Sequence, residues 1–97
     1  MKKENWFRLS FFEQLSNIAG EVNRLVENEE QNDKEYEAFY LNKIKELIDA
    51  TFQDPKNDIR RKKELEDEYN QILEYLDKKY SASYITDYWQ QYTDAIS

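Results

Sequence analysis

The sequence predicts an all-α fold, a single small up-down bundle of four helices preceded by an N-terminal arm, and three observations carry that expectation. One Gly and one Pro in 97 residues leave too few turn-formers for β-hairpins or for a glycine-rich nucleotide loop. Apolar residues recur at steps of three and four in four segments separated by short polar stretches. A hydrophobic share of 39% beside 36% charged residues supplies one small core and no second domain, so residues 1–97 form one unit.

Residues 1–9 make the arm, anchored by Trp6, Phe7 and Leu9. Ser10 with Glu13 has the spacing of a capping box, in which hydroxyl and carboxylate each take a backbone N–H. The first helix therefore spans about 11–30, with Phe11, Leu15, Ile18, Val22 and Leu25 on its inner stripe. Asn32 with Glu35 suggests a second capping box, opening a helix over about 33–52 that carries Tyr36, Phe39, Ile44, Leu47, Ile48 and Phe52. Asp54-Pro55 stops it, because a residue before proline is pushed out of the α region. The third helix, about 57–80, has a seam of Leu65, Tyr69, Ile72 and Leu76 flanked by Ile59, Leu73 and Tyr80. Ser81-Ala82-Ser83 breaks the chain, and Ser83 caps a last helix over about 84–96 bearing Tyr84, Ile85, Tyr88, Trp89, Tyr92 and Ile96. The alternative is one long helix through the serines, since no Gly or Pro enforces the turn.

The chain contains no His and no Cys, which removes imidazole catalysis, thiolate nucleophiles, disulfides and the usual transition-metal ligands. Glu64, Asp67 and Glu68 share a helix face and Glu27, Glu29 and Glu30 cluster, but carboxylate-bridged metal bundles add Glu-x-x-His pairs, so both groups are expected on solvated faces. No catalytic, cofactor-binding or metal residue is assigned. Fourteen basic against 21 acidic residues give a net charge of −7, which opposes binding to nucleic acid or anionic lipid. The basic run Arg60-Arg61-Lys62-Lys63 is offset by Glu64, Glu66 and Asp67 one turn on. Met1-Lys2-Lys3 leads into Glu4 and Asn5 with no apolar h-region, and apolar runs such as Phe39-Tyr40-Leu41 are far too short to span a bilayer; a cytoplasmic location is expected.

Two surfaces stand out as partner-binding. At 100° per residue, Glu13, Asn17, Gly20 and Arg24 lie opposite the inner stripe of the first helix, with Gln14 and Glu21 on the flank. An outward mid-helix Gly costs roughly 1 kcal/mol against Ala, so it is either a neutral accident or a place where another backbone comes close. The aromatic series Tyr80, Tyr84, Tyr88, Trp89 and Tyr92 has two readings, docking on its own bundle or burial against a second chain. Trp6, Tyr88, Trp89 and Tyr92 are the candidate anchors, and Glu21 and Arg24 set register.

The stretch from Trp6 to Arg24, with Trp6, Arg8, Ser10, Glu13-Gln14-Leu15, Asn17-Ile18, Glu21-Val22 and Arg24, resembles the opening of an uncharacterised family of small bacterial helical proteins. The likeness continues through Leu47-Ile48-Asp49-Ala50-Thr51 and Asp54-Pro55-Lys56-Asn57, and faintly at Tyr88-Trp89-Gln90-Gln91-Tyr92, while the third helix is more charged than the family pattern. The resemblance implies a cytoplasmic helical unit and names no reaction. A looser similarity in shape connects the chain to four-helix accessory proteins of reverse transcriptases, which are typically basic.

The expected function is accordingly non-enzymatic: a helical-bundle protein–protein interaction module, an accessory or adaptor subunit, binding a protein partner or a second copy of itself and no small-molecule substrate. The alternative is a small acidic inhibitor, of mobile-element or phage type, that occupies the basic nucleic-acid groove of a target enzyme.

Overall fold

The computed structural model describes residues 2–95, among which all regular structure is helical. Ser10 opens α2 (Phe11–Glu30) as the sequence predicts: its Oγ accepts from the Glu13 N–H at 3.1 Å, and the Glu13 carboxylate accepts from the Ser10 N–H at 2.9 Å. The helix ends where Asn32 turns left-handed, with φ at 56°. There the Asn32 N–H reaches Glu29 O and the Asp33 N–H reaches Asn28 O, a Schellman closure that uses the tolerance of Asn for this conformation. Asn32 thus closes one helix instead of capping the next. The expected box with Glu35 does not form; Asp33 Oδ1 takes the Glu35 N–H, and α3 (Glu37–Gln53) starts four residues beyond the expected 33.

Asp54, held extended ahead of Pro55, ends α3 as anticipated. Its successor α4 (Ile59–Leu76) is capped by Asp58, whose Oδ1 accepts from the Arg61 N–H at 3.0 Å. A second Schellman turn closes α4 four residues before the expected 80, with Lys78 at φ 64° and the Lys79 N–H on Glu74 O. The one-helix alternative is therefore overturned. Ser81, not Ser83, caps α5 (Ala82–Ala95), its Oγ accepting from the Tyr84 N–H at 3.1 Å. Met1 and Ile96, the latter assigned to the last stripe, lie outside the described residues.

The arm contains a short helix, α1 (Lys3–Phe7), packed on α3. α2 packs extensively along both α3 and α5, whereas α4 meets α3 and α5 along much shorter seams. Leu15, Ile18, Val22, Leu25, Ile44, Leu65, Ile72, Ile85 and Trp89 are fully enclosed, each aliphatic side chain contributing about 1.5–3 kcal/mol by leaving water. The radius of gyration, 13.1 Å, is that of a compact chain of this length. Among the described residues no helix is long and apolar enough to cross a membrane. Several predicted seam or flank residues face water instead, including Tyr36, Phe39 and, at 85% exposed, Ile59, and Phe12 of α2 is exposed as well.

Candidate functional site

The outer strip of α2 divides. Asn17 and Arg24 are exposed, and Glu13, Gly20 and Glu21 are half-buried beside them. They are engaged locally: Asn17 Nδ2 donates to Glu13 O at 2.8 Å, Arg24 pairs with Glu21 at 2.8 Å, and the Glu13 carboxylate, lowered from its ordinary pKa by the Ser10 N–H and hydroxyl, completes the cap. A Cβ on Gly20 would meet only the tip of Arg24, at 3.8 Å, so nothing inside this chain requires glycine there.

Gln14 does not belong to that strip. It is 0% exposed, because it falls three residues after Phe11 and four before Ile18, on the buried side of the helix. Its Nε2 donates to Trp6 O at 3.1 Å and to Asp54 Oδ2 at 2.8 Å, and its Oε1 accepts from Asn57 Nδ2 at 3.3 Å. Around it, Trp6 Nε1 donates to Thr51 Oγ1, which donates on to Leu47 O, and Asn57 Nδ2 reaches Thr51 O. Lys56 Nζ pairs with Asp54 and reaches Phe7 O. Burial pushes the Asp54 carboxyl up, but the Lys56 and Gln14 hydrogen bonds outweigh it and leave the group below its ordinary range. This knot ties the arm and the α3–α4 turn to α2. Trp6 and Gln14 are consequently spent on the fold and present no anchor surface to a partner.

The C-terminal aromatics take the docking alternative in part. Trp89 is 0% exposed and Tyr92 is buried beside it, rings at 5.4 Å, so neither is an external anchor; Tyr88 is half-buried and Tyr84 exposed, stacked on Tyr80 at 4.7 Å.

Because α4 and α5 touch lightly, a groove opens between them. One part, about 330 Å³, is lined by Phe11, Phe12, Glu64, Asp67, Glu68, Tyr88, Gln91 and Tyr92. A second, about 380 Å³, shares Asp67, Glu68 and Tyr88 and adds Asn70, Gln71, Glu74 and Tyr80. Glu68, expected on a solvated face, is 3% exposed. The reason is phase: the buried seam of α4 runs Leu65, Glu68, Ile72, Tyr75, one residue off the expected Tyr69 and Leu76. Tyr92 Oη donates to Glu68 Oε1 at 2.6 Å, while Oε2 has no partner, and neither has Gln71 Oε1 one turn further. Burial raises the Glu68 carboxyl to about 7, with Glu64 and Asp67 adding to the shift and the Tyr92 hydroxyl opposing it. Burial likewise raises Tyr88 and Tyr92. Among the described residues no three acidic side chains converge as metal ligands.

The basic run is surface, as expected, and partly occupied: Lys63 pairs with Asp67 at 2.8 Å, Lys62 sits over Phe52 and Arg61 lies over Phe11 at 4.8 Å. No protein-family model matches the chain, and no curated protein or solved structure proved significantly similar to it.

Proposed function

We propose that the chain is a non-enzymatic interaction module, a four-helix up-down bundle with an N-terminal segment that serves as an accessory or adaptor subunit for a protein partner in the cytoplasm. The observation that carries this reading is the groove between α4 and α5, where half-buried tyrosine and exposed phenylalanine line a depression whose buried acceptor atoms lack donors. Glu13, Asn17, Gly20, Glu21 and Arg24 form a second, outlying polar strip.

The test is site-specific photo-crosslinking in cells, with the reactive group placed at Tyr88 in the groove and, separately, at the exposed Asn42 of α3. A discrete adduct is expected from position 88 and none from 42, its mass distinguishing a second copy from another protein. Equal labelling or none at both positions refutes it. The same crosslinking repeated in lysate at low and at moderate salt separates the readings: an adduct that no longer forms at moderate salt favours the acidic mimic over an aromatic-anchored interface.

A further inference from the structure

We propose that the groove between α4 and α5 is a receptor for one arginine or lysine side chain presented by a basic segment of a protein partner. The inference rests on the interaction reading only for the source of that side chain; the chemistry of the groove stands by itself.

Two acceptors on one face of α4, Glu68 Oε2 and Gln71 Oε1, are buried without a donor. An unmet buried acceptor costs about 1–3 kcal/mol, more for a charged group, so a ligand that brings N–H groups recovers what folding leaves unsatisfied. The Glu68 carboxyl belongs to both parts of the groove, with Glu64, Asp67 and Glu74 around it and Phe11, Phe12, Tyr88 and Tyr92 as walls. Carboxylates that accept, beside aromatic side chains, select an organic cation. A guanidinium suits both, being flat, always charged and equipped only with donors. Each part of the groove lies at the small end of ligand sites, the size of a side chain instead of a cofactor. A bare metal ion is less suited, because the acidic groups do not converge on a common point. Two of the chain's own cations sit at the rim, Lys63 on Asp67 and Arg61 over Phe11, and neither donates to Glu68 Oε2 or Gln71 Oε1.

Occupancy must then depend on the charge of Glu68. The groups around it are Glu64, Asp67 and Glu74 of its own helix, Tyr80 before α5 and Tyr88 and Tyr92 of α5, with Lys63 on Asp67 and Arg61 over Phe11 at the rim, while Phe11 and Phe12 of α2 carry no charge. With its carboxyl at about 7, roughly one molecule in thirty is ionised at pH 5.5 and nearly all are at pH 8.5.

The probe is N-acetyl-arginine amide, with N-acetyl-citrulline amide as the uncharged counterpart, titrated into the full chain and followed by NMR. Saturable shifts are expected at Glu68, Gln71, Tyr88 and Tyr92, about 30-fold weaker at pH 5.5 than at 8.5, with citrulline inert. Glu68→Gln, which keeps an acceptor for Tyr92, should weaken binding about tenfold or more at pH 8.5 and flatten the pH dependence. Equal binding of citrulline, identical affinity at both pH values, or shifts located elsewhere overturns the proposal. The wild-type arms decide it even if the variant fails to fold. Arginine binding without a crosslinked partner would refute the module and leave the receptor; a partner crosslinked at position 88 with no arginine selectivity would do the reverse.

Discussion

Replacing Gln14 by Ala separates a surface residue from a structural one more sharply than any other single change. On an exposed strip the substitution would move stability by less than about 0.5 kcal/mol. In the structure Gln14 is enclosed and makes three hydrogen bonds, one of them to the Asp54 carboxylate at 2.8 Å. Asp54 retains Lys56 and Asn57 retains Thr51 O, so those groups lose one bond each, at about 1 kcal/mol for the neutral pair and 1.5–3 for the charged one. The Trp6 carbonyl loses its donor, and the missing amide leaves a small void. The sum is about 3–5 kcal/mol, a large part of the 5–15 kcal/mol that holds a domain together. Urea unfolding followed by circular dichroism measures it, with Asn17→Ala as the exposed control, expected within about 0.5 kcal/mol of wild type. A Gln14→Ala midpoint equal to that of the control would refute the buried knot.

Stability should fall as pH rises through the Glu68 titration. An acid held at about 7 when folded and near 4.5 when unfolded contributes stability that is complete below 4.5 and lost through 7, about 3 kcal/mol in all. Glu68→Gln removes this dependence, so the urea midpoints of wild type and variant diverge between pH 5 and 8; parallel curves would contradict the burial of Glu68. Tyr92→Phe removes the hydroxyl that stabilises the carboxylate, so carboxyl NMR should show the Glu68 midpoint above that of wild type. Gly20→Ala should stabilise by up to about 1 kcal/mol and raise Tm by about 4–8 °C, since the added Cβ meets only ordinary contact; calorimetry showing a loss would mean the site is tighter than described. Asp54, held below its ordinary range, contributes stability that is lost as pH falls below about 4, and Asp54→Asn should blunt that acid transition.

The residues that announced themselves were those whose local chemistry needs no distant partner. Ser10 with Glu13 and the stripe from Phe11 to Leu25 placed α2 to the residue, and Asp54-Pro55 placed the end of α3 within one. The misplaced boundaries are both left-handed closures at non-glycine residues, Asn32 and Lys78, where packing of the helices sets a turn that propensity only tolerates. α1, at five residues, is too short to show periodicity. The groove was hidden for a related reason. Glu68 and Gln14 obey the same three-and-four spacing as their apolar neighbours, but polar residues default to solvent. What keeps them inside is a Tyr hydroxyl 24 positions away for the one and an Asp carboxylate 40 positions away for the other.

The carboxyl carbon of Glu68, followed by NMR across pH with and without N-acetyl-arginine amide, shows whether the groove holds a buried acid that an organic cation ionises. The midpoint should lie near 7 in the free chain and move downward as the probe saturates, because a bound cation favours the carboxylate. A midpoint near 4.5, or one that the probe leaves in place, would contradict it.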